Sequence, residues 1–152
     1  MIRWLKSLWP ILLIPAASHG NQLAISFGPS LDGGTNPKYA ALGYEFLGAM
    51  SSLLGECGGM FESQTNEVCM IVLSARVQTP AGLFTRVGVG PAVVFHTDDR
   101  LSSVGEFSLQ GMVGLAQGGW DIGAKFQHFS NAGIVPPNLG RDFILACVEI
   151  GL

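Results

Sequence analysis

The sequence is poor in charge and has no long uninterrupted apolar run. Only 12% of its 152 residues are charged, against about 25% in an average globular protein. No internal stretch reaches the roughly 18 consecutive apolar residues that a transmembrane helix needs, although the mean hydropathy is +0.40. This composition favours a closed β-barrel in a membrane, because a barrel satisfies all backbone hydrogen bonds between its own strands.

Other absences argue against several classes of function. Eight basic residues against eleven acidic ones give a formal charge of −3, so a nucleic-acid-binding surface is not predicted. Phosphate-loop and dinucleotide-binding motifs are missing, and we predict no cofactor. His96, Asp98 and Asp99 are candidate metal ligands in one short segment. Their setting in a polar stretch is more typical of a solvated turn.

The first twenty residues have the pattern of a secretory signal peptide. Arg3 and Lys6 supply a positive start, and an apolar segment follows that Pro10 and Pro15 interrupt. Small residues at 16–18 suit cleavage near 18–20. The alternative is a retained anchor helix. We therefore predict a leader over 1–20 and an exported barrel domain over 21–152.

Period-two alternation dominates after residue 20 and predicts strands. Long polar connections alternate with short turns, as in outer-membrane barrels. The pattern predicts an all-β fold, an eight-stranded antiparallel up-and-down transmembrane β-barrel. Its strands are expected over 21–28, 39–48, 51–57, 69–78, 83–95, 103–116, 119–130 and 141–152.

Alternate residues of each strand face opposite sides of the sheet, and the two alternating sets, called parities here, differ in polarity. One parity is apolar, and the other carries charges of both signs at Glu45, Arg76, Arg86, Glu106, Asp121, Lys125 and Glu149. In a membrane barrel the charged parity would fill the narrow lumen, because Arg or Lys facing lipid costs about 2–4 kcal/mol at the midplane. A soluble sandwich or lipocalin-like barrel would instead turn the apolar parity inward. The low total charge favours the membrane barrel.

Three cysteines lie within the predicted domain. An exported chain meets an oxidising compartment, and Cys57 and Cys69 bracket the polar stretch 58–67, so a disulfide between them would close it as one loop. Metal binding is the alternative, but no paired histidine accompanies them. Cys147 is predicted to be a packed core residue.

The seventh strand ends in a segment that could carry chemistry. His128 and Ser130 are two residues apart, so both side chains leave the same face, and they continue the apolar, lipid-facing parity. Asp142 begins the next strand on the matching parity. Together they would form a Ser–His–Asp triad, with Asn131 or a nearby backbone N–H donating to the oxyanion. Spacing alone favours a different interpretation, a polar strand end at the level of the lipid headgroups.

A longer motif surrounds these residues. The run His128-Phe-Ser130-Asn131-Ala-Gly, followed by Pro137-Asn-Leu-Gly-Arg-Asp142, resembles the signature of the outer-membrane lipid A 3-O-deacylases, the PagL family. The resemblance implies a barrel with a serine esterase site on its outer wall. It assigns Ser130 as nucleophile, His128 as base, Asn131 as oxyanion donor and Asp142 as acid. The family usually has Glu where this chain has Asp142.

These observations predict a Gram-negative outer-membrane hydrolase without metal or cofactor. Its substrate would be lipid A of lipopolysaccharide, from which it removes an ester-linked acyl chain, the 3-O chain by the resemblance. Two alternatives stay open, a non-catalytic lipopolysaccharide-binding or structural barrel and a phospholipase that uses the same triad. The sequence does not distinguish a monomer from a homodimer.

Overall fold

The computed structural model describes residues 20–32, 38–48, 51–61 and 66–152. The predicted leader over 1–19 lies outside the described residues. The described chain forms eight strands, and no helix in it has the length and apolarity needed to cross a membrane. The strands are β1 (Gln22–Pro29), β2 (Lys38–Leu47), β3 (Ser51–Phe61), β4 (Asn66–Gln78), β5 (Leu83–Val94), β6 (Gly105–Gln117), β7 (Trp120–Ser130) and β8 (Arg141–Gly151).

The strands close into an up-and-down barrel. Each strand pairs antiparallel with its neighbours in the chain, and β1 pairs with β8 to complete the ring. The predicted fold is confirmed. The C-terminal ends of β2, β4 and β6 lie at one end of the barrel, here called the turn end. The C-terminal ends of β1, β3, β5 and β7 lie at the other, the loop end.

The β3–β4 hairpin is longer than the alternation predicted. The sequence indicated a polar loop over 58–68, but the ladder continues through it, with Gly58 opposite Val68 and Gly59 opposite Glu67. Glycines without side chains erase the alternation signal while their backbone groups still pair. This boundary prediction was wrong, because β3 extends to Phe61 and β4 begins at Asn66.

The charged parity fills the lumen, as predicted for a membrane barrel. All seven charged sites named from the alternation are at most 8% exposed. Six of the seven close ion pairs across the lumen, Arg76 with Asp121, Arg86 with both Glu45 and Glu149, and Lys125 with Glu56. Glu106 instead accepts hydrogen bonds from Ser103. Pairing is what makes their burial tolerable, since an isolated buried charge costs several kcal/mol.

The apolar parity forms the outer wall. Its members are large aliphatic and aromatic side chains with 42–63% of their surface exposed, among them Leu42, Ile71, Leu73, Val87, Leu109, Ile122 and Ile144. Contact of this wall with water would be unfavourable, because apolar area in water costs about 25 cal/mol per Å². A lipid environment removes that cost.

Candidate active site

The β7–β8 hairpin brings His128 and Asp142 together on the outer wall. The two residues are direct partners in the register, and their Nδ1 and Oδ1 atoms are 2.7 Å apart. Both side chains are partly exposed, at 33% and 39%. Because the residues lie opposite each other, the short arm of aspartate reaches the imidazole without any shift of the hairpin.

Ser130 lies on the same face as His128, one outward position nearer the loop end. Its Oγ accepts a hydrogen bond from the Ala132 N–H at 3.3 Å. Within the described residues, the structure shows no hydrogen bond between Ser130 and His128. Catalytic hydrogen bonds are often long in an empty site and shorten only when substrate binds.

Aromatic side chains fix the hairpin from inside. Phe129 and Phe143 are the inward neighbours of the site residues, and both pack on Tyr39, with ring centroids 5.8 and 5.3 Å from its ring. All three are fully buried. Aromatic pairs of this kind contribute about 0.5–1.5 kcal/mol each beyond area burial. They hold β7 and β8 so that the alternate residues, His128 and Asp142, project outward.

Gly140 leaves space for the site. It adopts a φ of +66°, and a Cβ atom placed on it would lie 3.1 Å from Cε1 of His128 and 3.5 Å from Cβ of Ser130. The returning loop therefore passes directly against both side chains. The turn after Ser130 is also left-handed, with φ values of 55° at Ala132 and 79° at Gly133.

The side chain of Asn131 does not lie on the outer face with Ser130, where its predicted role as oxyanion donor requires it. Its side chain has the inward parity and is 1% exposed, and its Nδ2 donates to Val135 O at 2.9 Å and to Ser102 Oγ at 3.1 Å. Its Oδ1 accepts from the Gly133 N–H at 3.0 Å. The side-chain amide thus stabilises the loop from within and does not reach Ser130, so its prediction as an oxyanion donor is corrected. The backbone N–H of Ala132 is the donor that approaches the Ser130 hydroxyl.

Residues far away in the sequence support Asp142. The Leu31 N–H donates to the Asp142 carbonyl at 2.8 Å, and the Asp142 N–H donates to Asp32 Oδ2 at 3.4 Å. Asp32 in turn pairs with Arg100 at 3.5 Å, and the Arg100 carbonyl accepts the Gly140 N–H at 3.2 Å. Sequence reasoning missed Asp32 and Arg100, because no spacing rule connects β1, the β5–β6 loop and β8.

The segment around His96 organises the β5–β6 loop. Asp98 accepts hydrogen bonds from the Arg100 and Leu101 N–H groups at 2.8 Å each and pairs with Arg141. Partial burial would raise the pKa of Asp98, but the bonds from Leu101, Arg141 and Arg100 outweigh it and lower that pKa below its ordinary value. No cluster of metal-ligating side chains occurs in the described part of the chain.

The three cysteines lie outside the candidate site. Cys57 and Cys69 face each other directly across β3 and β4 and are joined by a disulfide. They sit within the ladder, so the bond links two strands and does not close a free loop. Cys147 is buried in the lumen and unpaired. The β3–β4 pair lies across the barrel from the β7–β8 hairpin, so these cysteines take no part in the site.

The surroundings of the site are apolar. Phe107 and Leu109 of β6 lie opposite Ser130 and His128 in the register, and both are about half exposed on the outer wall. On the other side, Ile144 follows Asp142 on the outward face of β8 and is also exposed. The polar cluster therefore interrupts an apolar wall at the loop end.

Comparisons with known proteins agree with this architecture. The family model described as lipid A 3-O-deacylase (PagL) matches residues 18–150. A crystal structure of the outer membrane enzyme PagL matches with a TM-score of 0.67 at 16% identity, covering 86% of this chain and 99% of that one. A crystal structure of Neisserial surface protein A matches with a TM-score of 0.63 at 11% identity, covering 87% and 96%. No curated protein matches by sequence. The molecule is an outer-membrane β-barrel, and it belongs to the lipid A 3-O-deacylase (PagL) family.

Proposed function

We propose that the protein is a serine esterase that removes an ester-linked acyl chain from lipid A. The observation that carries this proposal is the 2.7 Å contact between His128 and Asp142 on the outward face, with Ser130 one position further along the same face. A hydrogen bond from Nδ1–H to the carboxylate leaves Nε2 as the proton acceptor. This is the arrangement that a nucleophilic serine requires.

The chemistry follows the general triad scheme. Ser130 Oγ attacks the ester carbonyl while His128 takes its proton, and Asp142 stabilises the imidazolium that forms. His128 then gives the proton to the departing sugar oxygen as the ester C–O bond breaks, which releases the sugar hydroxyl and leaves an acyl-enzyme. A water molecule, deprotonated by the same histidine, releases the fatty acid and restores Ser130.

The backbone supplies the oxyanion donor in this scheme. The Ala132 N–H already lies 3.3 Å from Ser130 Oγ, close to where the carbonyl oxygen of a bound ester would develop its charge. One well-placed donor contributes on the order of 3 kcal/mol to transition-state stabilisation. A backbone donor in a left-handed turn needs no particular side chain at 131.

The position of the site supports a lipid substrate. In outer-membrane barrels the short turns face the periplasm and the longer loops face the exterior. Ser130 ends β7 at the loop end, which corresponds to the outer leaflet, where lipopolysaccharide lies. The 3-O position of the acyl chain is proposed from family membership.

The test is mass analysis of lipid A after incubation with the purified, refolded protein. We expect loss of one hydroxyacyl chain, abolished by Ser130→Ala and unaffected by Ser51→Ala, a serine on the outer wall at the turn end. Asp142→Asn should lower kcat on the order of 10²- to 10⁴-fold, because the amide cannot stabilise the imidazolium. Chain loss that persists in Ser130→Ala would exclude the proposed nucleophile. Ser130-dependent release from phospholipid vesicles but not from lipid A would instead assign a phospholipase.

A further inference from the structure

Exposed aliphatic side chains lie on the segments that meet at the site. Leu31, Ile134 and Leu139 are 57%, 72% and 67% exposed, and they are called the apolar rim here. Leu31 donates its N–H to the Asp142 carbonyl. Ile134 and Leu139 belong to the loop that runs from Ser130 to Asp142. Single exposed aliphatics are common on protein surfaces, but these three flank one site.

The loop that carries the rim is held in place. Its Val135 carbonyl accepts bonds from the buried Asn131 amide at 2.9 Å and from Ser102 Oγ at 2.8 Å. The Ile134 N–H donates to Asn131 O at 3.1 Å, and Gly140 is bonded to Arg100. These bonds tie the loop backbone at residues 134, 135 and 140 to the barrel. The loop that presents Ile134 and Leu139 outward is therefore held in position.

The rim continues an interface that is already established. Below it, the outward residues Phe107, Leu109 and Ile144 are 42–50% exposed on the membrane-facing wall. Beyond the strand ends a water-soluble protein would present polar loop residues, yet here the apolar character extends past Ser130. Apolar surface is stabilised by contact with hydrocarbon and not by contact with water. The occupant consistent with this continuity is the acyl region of a membrane lipid.

We propose that the apolar rim binds acyl chains of an outer-leaflet lipid and thereby holds the substrate's ester linkage at Ser130. The rim acts on binding and orientation, and no rim residue takes part in bond breaking. The catalytic half of this inference rests on the proposed deacylase function. The membrane contact itself does not, so the two are tested separately.

The first experiment measures lipid contact without using activity. Ile134→Trp and Leu139→Trp variants are placed in bilayers whose acyl chains carry bromine, a short-range quencher of tryptophan fluorescence. Thr97→Trp, at an exposed polar position of the neighbouring loop, is the matched control. We expect strong quenching at 134 and 139, beyond that of the parent protein, and little added quenching at 97. Equal quenching at all three positions, or none at 134 and 139, overturns the proposal.

The second experiment measures the consequence for catalysis. The double variant Ile134→Ser/Leu139→Ser is compared with Phe61→Ser, which removes a half-exposed apolar side chain at the end of β3, away from the site. With lipid A in vesicles we expect kcat/KM to fall at least tenfold in the double variant, mainly through KM. With p-nitrophenyl acetate, a soluble ester without long chains, we expect no change. Equal losses on both substrates would mean that the loop merely supports the site, and would overturn the orienting role.

The two proposals fail in different ways. A wild-type protein that leaves lipid A intact, while tryptophan at 134 and 139 is still quenched, refutes the deacylase function and leaves the membrane contact standing. A protein that deacylates lipid A with unquenched rim positions refutes the rim alone.

Discussion

Gly140 offers a sharp test of the site's geometry, because a single methyl group there would meet His128, the proposed base. A Cβ atom would lie 3.1 Å from Cε1 of His128 and 3.0 Å from the Phe129 carbonyl oxygen. Gly118 in the β6–β7 turn has nearly the same φ, +62° against +66°, but nothing lies within 4 Å of its Cβ position. Gly118→Ala therefore reproduces the backbone strain of Gly140→Ala without its contacts.

The size of the expected rate loss depends on which neighbour of the added methyl group can move. A left-handed alanine costs about 1–2 kcal/mol, and this cost applies to both variants. At Gly140 a neighbour must also shift by a few tenths of an ångström. The Phe129 carbonyl belongs to the barrel backbone, so the partly exposed His128 ring moves. A misplacement of 1 Å at a reacting group costs about 100-fold in rate, so a smaller shift predicts a loss on the order of three- to tenfold.

The assay is kcat for release of the acyl chain from lipid A, with unfolding midpoints in urea measured in parallel. Both alanine variants should lose stability through the left-handed backbone, and Gly140→Ala at least as much as Gly118→Ala because of its added contacts. Only Gly140→Ala should lose kcat, with KM nearly unchanged, since the rim that we propose to hold the substrate is not altered. If the two variants have equal kcat, the loop does not constrain the base and the argument from the Cβ position is wrong.

Three further predictions concern the supporting structure. Lys125→Met should lower the unfolding free energy by about 3–5 kcal/mol, because it leaves Glu56 buried without its cation, and adding Glu56→Gln should recover much of that loss in urea titrations. The lowered pKa of Asp98 means that its stabilising contribution is present above its ordinary value of 3.8 and is lost only as pH falls further. Amide exchange of the β5–β6 loop should therefore stay slow at pH 5 and become fast in Asp98→Asn. Replacing Cys57 and Cys69 by Ser should lower the unfolding midpoint yet leave deacylation intact, because the disulfide lies across the barrel from the site.

Much of this fold was predictable because a barrel in a membrane has only two environments for a side chain. Alternation assigns each residue to one of them, so eight strands and their inward charges could be inferred from the sequence. The extent of β3 and β4 could not, since Gly58 and Gly59 pair through their backbone while carrying no side chain to report a face. Hydropathy patterns detect side chains, whereas strands are held by the backbone.

The site was predictable to the extent that it depends on the same alternation. His128 and Ser130 share a face because they are two apart, but the partner of His128 depends on register across a ten-residue loop, 131–140. Loop length does not fix that register, so parity made Asp142 a candidate for the acid, and the family resemblance supported that choice. Asn131 was misassigned because residue 131 has the inward parity.

The register of β7 determines which of its residues face the lumen and which face the outer wall. A slip of one residue in β7 would turn His128 and Ser130 into the lumen and bring Lys125 out to the lipid. The ion pair between Lys125 and Glu56 opposes that slip, because the ammonium group would lose its carboxylate and face hydrocarbon. The buried charges thus help to define which residues form the outer face. If this reasoning holds, the Lys125→Met/Glu56→Gln protein loses this penalty and keeps the Arg76–Asp121 pair as the charged constraint on the register of β7. It should then show a fraction of molecules without deacylase activity that grows with temperature before the barrel unfolds.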